Sequence, residues 1–239
     1  MRKNVEKMSI NYSPNFDLKK RTRSKVKYLI FHYTGMRSEN AAIKRLTSKS
    51  SKVSCHYLIK KNGAIIKIVP DLYIAWHAGI SSWKKDKSLN SNSIGIEISN
   101  PGHDYKYKNF SQKQITSIID LSKNLKKKYK IKKENILGHS DIAPLRKKDP
   151  GEKFPWQLLN KKKISLWHNL NEKKCKYLRK KKLTDNKDFY KLLFKFGYKS
   201  SKNNKEKIKI YKSFQRRFRP KLISSAVDQE SYEILKSLI

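Results

Sequence analysis

The sequence predicts an α/β fold in which a mixed β-sheet is flanked by helices, with a small C-terminal domain of three helices behind it. Short apolar runs at residues 27–32, 93–99 and 136–138 are typical of buried strands. Residues 111–129 have the pattern of a long amphipathic helix. A hairpin signal and a helical C-terminal tail complete the layout, which is a mixed-sheet domain, a linker and a helical module.

Local signals support each of these elements. Residues 55–60 and 64–69 flank the tripeptide KNG, and Asn-Gly is a preferred pair at a tight turn between antiparallel strands. A short helix is predicted over residues 39–47, and a loop over residues 76–83. The helix over 111–129 begins with a capping box and has apolar residues at three- and four-residue steps. The box is Ser111 with Gln114, and the apolar face is Ile115, Ile118, Ile119, Leu121 and Leu125.

Composition divides the chain into four parts. Residues 1–24 are polar and basic, and are expected to be an arm laid over the surface or disordered. Residues 25–170 carry the predicted sheet. Residues 171–183, at the end of a Lys-dense stretch, are expected to be a linker. The module at 184–239 is predicted to contain helices over 185–196, 204–218 and 228–238.

The net charge of +39 comes mainly from lysine. Arg supplies only ten of the 58 basic residues, and the 48 Lys are spread over nearly the whole chain. Nucleic-acid-binding proteins favour Arg and a localised basic stripe, so a general compositional bias explains this distribution better. The positive electrostatic field of such a chain still attracts polyanions, so non-specific polyanion binding is expected. A basic nucleic-acid-binding protein stays open as an alternative.

Other compositional features exclude several classes. Cys55 and Cys175 are too few for a disulfide framework or a Cys-rich zinc site. No run approaches the roughly 18–20 apolar residues of a membrane span, so no transmembrane segment is predicted. The N-terminal stretch has neither the apolar core of a signal peptide nor a lipid-attachment cysteine. From the residues alone, we expect a cytoplasmic monomer.

A loop rich in Pro and Gly at residues 138–156 carries metal-ligand residue types. His139 and Asp149 lie in this loop, and His32 ends the apolar run at 27–32. Two histidines at strand ends and one carboxylate make a set with an open fourth position, as in catalytic zinc sites. Alternatively, each histidine is an ordinary hydrogen-bonded residue.

Two further residues fit hydrolytic chemistry beside such a metal. Glu97 is the only charge among small residues on one face of the strand at 93–99, and a carboxylate beside a zinc-bound water is a usual general base. It could equally lie on a solvated face or pair with a lysine. Lys147 lies two residues before Asp149, so in an extended loop both side chains face the same way. A cation there would hold the oxyanion of a tetrahedral intermediate.

Three ring-bearing side chains are candidate substrate-binding residues. His77 and Trp83 lie in the loop at 76–83, and Tyr57 lies in the strand at 55–60. They are candidates to line a substrate groove. Trp and His are equally common as anchors of a loop, so that alternative stays open.

Several motifs carry a family resemblance, and they occur in order: FHYTG at 31–35, SCHYLIKKNGAIIKIVPD at 54–71, AWHAGISSW at 75–83, NSIGIEISNPG at 92–102 and GHSDIAPLRKKDPGEKFPW at 138–156. Together they resemble the zinc-dependent N-acetylmuramoyl-L-alanine amidases of the amidase-2 family, which are related to phage lysozyme-type amidases and peptidoglycan recognition proteins. The chain looks most like the AmiD type, which has a C-terminal peptidoglycan-binding domain. The resemblance covers roughly residues 25–239.

The resemblance implies a role for each candidate. His32, His139 and Asp149 would bind Zn²⁺, Glu97 would be the acidic catalytic residue, and Lys147 would stabilise the transition state. The implied reaction is hydrolysis of the amide between the lactyl group of N-acetylmuramic acid and L-alanine, in peptidoglycan or muropeptides. The implied fold is the phage-lysozyme-like mixed sheet with the site at one rim. AmiD-type relatives are typically exported and lipid-anchored, so the resemblance implies the cell envelope rather than the cytoplasm.

Two questions stay open at this point. A peptidoglycan recognition protein that binds without cleaving would share the fold, but such proteins usually lack a full ligand set. The helices at 184–239 would either bind the cell wall or only pack against the catalytic domain. Within them, the stretch FQRRFRP at 214–220 would bind carboxylates of stem peptides or be solvated.

Overall fold

The computed structural model describes residues 9–183 and 185–239. Its strands are β1 Ser9–Ile10, β2 Phe16–Asp17, β3 Tyr28–Tyr33, β4 Tyr57–Ile59, β5 Ile65–Lys67, β6 Ile74–Ala75, β7 Ser82–Trp83, β8 Asp86–Lys87, β9 Ser93–Ile98 and β10 Ile136–Gly138. Its α-helices are α1 Glu39–Thr47, α2 Gln112–Tyr129, α3 His139–Ile142, α4 Trp156–Lys161, α5 Glu172–Arg179, α6 Lys187–Phe196, α7 Asn204–Phe218 and α8 Gln229–Lys236.

The central sheet has six strands in the order β1-β5-β4-β9-β3-β10. The hairpin pair β4–β5 is antiparallel, and each of the other neighbouring pairs is parallel. The prediction of a mixed sheet flanked by helices is therefore confirmed. The short pairs β2–β6 and β7–β8 lie outside this sheet.

The local signals of the sequence are realised where they were expected. The KNG turn joins β4 to β5, and α1 has the predicted bounds. At the start of α2, the Ser111 hydroxyl accepts a hydrogen bond from the Gln114 backbone at 3.2 Å. In return, the Gln114 side chain accepts one from the Ser111 backbone at 3.0 Å. This capping box satisfies amides that have no partner within the helix.

The two faces of the sheet are covered by different parts of the chain. On one face, alternate residues of β3 and β9 pack with α2 and Trp156 in a single core cluster. On the other face, Ile30 and Leu137 join a cluster that includes buried side chains of α6, α7 and α8. The C-terminal helices therefore share a core with the sheet. No helix in the described part of the chain is long and apolar enough to cross a membrane.

The N-terminal stretch is described from Ser9 onwards, and residues 1–8 lie outside the described residues. β1 extends the central sheet beside β5, and β2 pairs with β6. The buried Asn15 amide donates to the carbonyl oxygens of Ser48 and Val53 at 2.7 and 2.9 Å. Polar side chains that are buried through hydrogen bonds leave no hydropathy signal, so the sequence suggested either a surface arm or a disordered segment.

The Lys-dense stretch that was expected to be a linker contains helix α5. Cys175 and Leu178 are buried on its inner side, and Arg179 forms an ion pair with Glu230 of α8 at 2.6 Å. The described residues of the module at 184–239 form the three predicted helices, α6, α7 and α8, and α5 is an additional helix in the stretch that was expected to be a linker. Only two apolar residues of α5 face inward, so its sequence shows too few apolar positions among the lysines to predict an amphipathic helix.

Candidate active site

The sheet brings two histidines from distant parts of the chain to one edge. β3 and β10 are parallel neighbours, with Phe31 opposite Gly138. His32 follows Phe31, and His139 follows Gly138, so both histidines leave the sheet at the same end. Asp149 returns to this point from the loop after α3, and its backbone carbonyl accepts a hydrogen bond from Ser140 at 2.8 Å.

Three side-chain atoms form a compact triangle at this edge. The Nδ1 atoms of His32 and His139 are 2.9 Å apart, and they lie 3.1 and 3.0 Å from Oδ2 of Asp149. All three residues are buried. Atoms bound at about 2.0–2.1 Å to one tetrahedral zinc ion lie about 3.3–3.4 Å from one another. The triangle is therefore compatible with a metal ion.

The outer hydrogen bond of His139 places its proton away from the triangle. Its Nε2 lies 3.1 Å from the carbonyl oxygen of Ala78, and a carbonyl can only accept. The shorter contact, to this carbonyl rather than to Arg146 at 3.4 Å, assigns the proton of His139 to Nε2 and leaves Nδ1 to present a lone pair to the triangle.

A chain of three hydrogen bonds places the proton of His32 in the same way. The Ser93 hydroxyl donates to the carbonyl oxygen of Leu89 at 2.5 Å, so it must accept from Nε2 of His77 at 3.2 Å. Nδ1 of His77 is then unprotonated and accepts from Nε2 of His32 at 3.0 Å. Nδ1 of His32 is left with a lone pair, and this assignment follows from the hydrogen-bond network.

Three acceptors thus face one another without a proton between them. Burial, with the nearby His139, lowers the pKa of His32 to about 4, so this ring is neutral near pH 7. Two imidazole nitrogens and one carboxylate oxygen that converge without a donor between them are the ligand set of a cation site.

Glu97 stands beside this triangle on the sheet. It lies opposite His32 in the register of β9 and β3, so both side chains are on the same face. Burial, with a further contribution from the Asp149 charge, raises the pKa of Glu97 to about 8. Its Oε2 atom is buried without a hydrogen-bond partner. A carboxyl group with a pKa near neutrality is suited to both taking and giving a proton.

Lys147 completes the predicted set at the mouth of the site. A cavity of about 580 Å³ is lined by Lys147 together with His32, Glu97, His139 and Asp149. The positive charge of Lys147 also lowers the pKa of Glu97, against the larger effect of burial. The five residues proposed from the sequence for metal binding and catalysis therefore converge on one cavity.

A family model for N-acetylmuramoyl-L-alanine amidases, amidase-2, matches residues 22–152 of the chain. The chain belongs to this amidase family. It is 35% identical to the N-acetylmuramoyl-L-alanine amidase AmiD of Escherichia coli, over 90% of this chain and 83% of AmiD. It is also 39% identical to the 1,6-anhydro-N-acetylmuramyl-L-alanine amidase AmpD of Haemophilus influenzae, over 44% of this chain and 56% of AmpD.

Solved structures of this amidase family have the same fold. The complex of E. coli AmiD with anhydro-N-acetylmuramic acid-L-Ala-D-γ-Glu-L-Lys matches with a TM-score of 0.81 and 33% identity, covering 93% of this chain and 91% of AmiD. AmpDh3 of Pseudomonas aeruginosa matches with a TM-score of 0.80 and 28% identity, covering 100% of this chain and 96% of AmpDh3. The chain is thus an N-acetylmuramoyl-L-alanine amidase.

His77 has a position in this amidase that its sequence context did not indicate. It lines the cavity, but its ring is buried and stands directly on Gly95 of β9. A β-carbon at residue 95 would clash with that ring. The space that the small residues of β9 leave above the sheet is thus filled by a partner of His32.

Tyr57 and Trp83 lie away from the cavity, contrary to the prediction that they bind substrate. Tyr57 is buried on the opposite face of the sheet, because it lies opposite Ile96 rather than Glu97, and its hydroxyl donates to Asp71. Trp83 is 1% exposed and packs edge-on against Phe196 and Tyr198. The face on which Tyr57 lies depends on the register of β4 with β9, and the partners of Trp83 come from distant sequence, so local sequence specified neither position.

Some of the cavity residues were missed at the level of sequence. Trp76 lines the cavity one position before His77, and Arg45 reaches it from α1. Arg146 also lines it, and its guanidinium donates to the carbonyl oxygens of Ala78 and Ile80, which holds the loop that carries His77. In a chain with so many cations, composition gave no reason to single out Arg45 or Arg146.

Proposed function

We propose that this amidase hydrolyses the amide between the lactyl group of N-acetylmuramic acid and L-alanine, with Zn²⁺ held by His32, His139 and Asp149. The observation that carries the metal assignment is the triangle of three acceptors, in which the outer hydrogen bonds of both histidines turn their protons away from the centre. The available donors are two imidazole nitrogens and one carboxylate oxygen, a set that suits a catalytic zinc ion with an open position. When bound, zinc would lower the pKa of a coordinated water to about 7 and polarise the substrate carbonyl.

Glu97 is proposed to move the proton in this reaction. It stands beside His32 on the same face of the sheet, and its Oε2 has no competing hydrogen-bond partner. It takes a proton from the attacking water and then gives it to the leaving amine of L-alanine. Burial keeps the pKa of Glu97 high enough for the second step.

Lys147 is proposed to stabilise the charge that develops on the carbonyl oxygen. It lines the same cavity as the three ligands, and its cationic head is the type of group that stabilises an oxyanion. Because that charge exists only in the transition state, the contribution of Lys147 should appear in turnover rather than in substrate binding.

The substrate class is proposed from the cavity and from the relatives. Arg45, Arg146, Lys147 and Lys148 line the cavity, and such cations complement the carboxylates of a stem peptide. The complexes of AmiD and AmpDh3 contain anhydro-N-acetylmuramic acid peptides. We therefore propose muropeptides, including their anhydro forms, as substrates of this chain.

The decisive experiment follows metal and product together. The purified protein is incubated with a muropeptide, with and without a chelator, and the products are identified by mass spectrometry. We expect a free peptide that begins at L-alanine, loss of this product with chelator, and recovery with zinc. An Asp149→Ala variant serves as the matched control without the carboxylate ligand. An intact muropeptide under all conditions would favour a protein that binds without cleaving.

Two other proposed interactions have separate tests. Residues 184–239 are proposed to contact the cell wall, since α6 exposes Phe194 and the loop after α7 exposes Leu222. Cosedimentation with purified sacculi tests this contact. Non-specific binding of polyanions is proposed from the charge of +39, and it should fall steeply with salt while surviving removal of the metal.

A further inference from the structure

Asp141 is fully buried two residues after His139, yet it lies outside the metal-binding set. A carboxylate in the protein interior is costly unless hydrogen bonds and an opposite charge compensate it. The hydrogen-bond partners of Asp141 therefore indicate its role. They come from the backbone at the start of α3 and from the C-terminal helical part of the chain.

The short helix α3 connects two of the proposed ligands. His139 is its first residue, and the Gly138 backbone before it donates to Oδ2 of Asp141 at 2.8 Å. Ser140, the second residue, donates its backbone N–H to the carbonyl oxygen of Asp149 at 2.8 Å. A shift of α3 would therefore move the backbone of both His139 and Asp149.

The C-terminal part of the chain holds this turn through buried polar contacts. Arg217 of α7 donates to Oδ2 of Asp141 at 2.7 Å and to the carbonyl oxygen of Ile136 at 2.9 Å. The Tyr198 hydroxyl donates to Oδ1 of Asp141 at 2.5 Å. The Ser213 hydroxyl, also on α7, donates to the carbonyl oxygen of Ser140 at 2.6 Å.

Burial makes these contacts strongly coupled. Arg217 and Tyr198 are each 1% exposed, so water cannot replace either partner of Asp141. The guanidinium of Arg217 also lies 4.6 Å from the ring of Trp156, which fixes its plane. A buried pair of this kind keeps its geometry only if both members are present, because the remaining charge would be uncompensated.

We propose that Arg217 and Tyr198 are positioning residues for the metal site, acting through Asp141 and α3 on His139 and Asp149. The C-terminal helices are then part of the catalytic unit, in addition to any contact with the wall. This inference rests on the proposed metal site. A merely structural role would predict lower stability with an unchanged metal site in the folded protein, whereas positioning predicts weaker metal binding in protein that is still folded.

Two variants separate these possibilities. Tyr198→Phe removes one hydroxyl and keeps the ring that packs against Trp83. The double variant Asp141→Asn with Arg217→Met removes both charges, so that no buried charge is left alone. The matched control is Arg179→Met, which breaks the ion pair with Glu230 inside the C-terminal helices and leaves α3 untouched.

The measurements are zinc affinity, by competition with a chromophoric chelator, and thermal melting of the metal-free protein by circular dichroism. Groups that orient metal ligands typically change metal affinity by about 10–100-fold. We expect zinc affinity about 10-fold weaker for Tyr198→Phe and up to about 100-fold weaker for the double variant. For Arg179→Met we expect affinity within about twofold of the unaltered protein, since it leaves these groups in place. Excess zinc should restore the activity of Tyr198→Phe.

The outcomes are distinguishable. If the unaltered protein takes up no zinc, the proposed metal site itself fails, and this inference fails with it. If the unaltered protein binds zinc and Tyr198→Phe, folded at the assay temperature, binds it equally well, the positioning role is refuted while the proposed function stands. Equal weakening in Arg179→Met would also refute it, because the effect would then reflect general loosening of the helices.

Discussion

Glu97 lies directly opposite His32 across two parallel strands, so that a carboxyl group and a proposed metal ligand share one face of the sheet. The pairing is set by the backbone register of β9 and β3. A shift of either strand by one residue would turn one of the two side chains to the other face. The position of the proposed proton carrier relative to the proposed metal site is therefore set by the pairing of β9 with β3.

Replacing Glu97 with Gln should abolish most of the turnover while leaving the metal site intact. The amide keeps the size of the side chain but cannot carry a proton between water and leaving group. We expect kcat to fall by about 10²–10⁴-fold, as for loss of a general acid–base group. The check is steady-state kinetics on a muropeptide, with zinc content measured on the same sample. Retained zinc and full activity would contradict the role.

Replacing Lys147 with Ala should lower kcat by about 10²–10³-fold with little change in KM, as for loss of one oxyanion donor. Lys148→Ala is the matched control, since Lys148 is the exposed neighbour on the same loop and lines the same cavity. The measurement is kcat and KM for both variants on one substrate. Equal, small losses in the two variants would show that only the general positive charge of the loop matters.

Gly95→Ala should weaken the metal site although residue 95 is not a ligand. The added methyl group would collide with the ring of His77, which holds the outer nitrogen of His32. We expect zinc affinity to fall by about 10–100-fold, because His77 orients a ligand. Overpacking should also lower the free energy of unfolding by about 1–3 kcal/mol. Competition with a chelator and denaturant unfolding give the two values, and an unchanged zinc affinity would contradict the orienting role of His77.

Asp71 should make the protein sensitive to acid. Burial alone would raise its pKa, but hydrogen bonds from Lys128, Tyr129 and Tyr57 hold that pKa well below its ordinary value of 3.8. A carboxyl group whose pKa is lowered by folding stabilises the folded state above its unfolded pKa, and this contribution is lost as the pH falls through the folded value.

The matching experiment compares the unaltered protein with Asp71→Asn by urea unfolding at several pH values. Near pH 7 the variant should be less stable by about 1–3 kcal/mol, the cost of losing hydrogen bonds to a charged group. The difference should shrink as the pH falls below about 4, where the unfolded carboxylate takes up its proton. A difference that stays constant down to pH 2 would refute the assignment.

The elements that local signals could specify were predicted correctly. The capping box at Ser111 and the KNG turn each depend on neighbours in sequence, and both occur as expected. Helix α5 was missed because only Cys175 and Leu178 face inward among many lysines. The role of Tyr57 was misjudged because its face of the sheet depends on register, which the sequence does not state.

By itself, the sequence determined which side chains are available for chemistry: histidines at the ends of two apolar runs, a lone Glu on a face of small residues, and a loop with Lys147 and Asp149. Tertiary structure decided how these groups are protonated and held. The proton of His32 is placed through His77 and Ser93, and α3 is fixed through Arg217 and Tyr198. Those partners are distant in sequence. A hydrogen bond between buried groups forms only when the donor–acceptor distance is correct to within a few tenths of an ångström, and only the packed chain sets that distance.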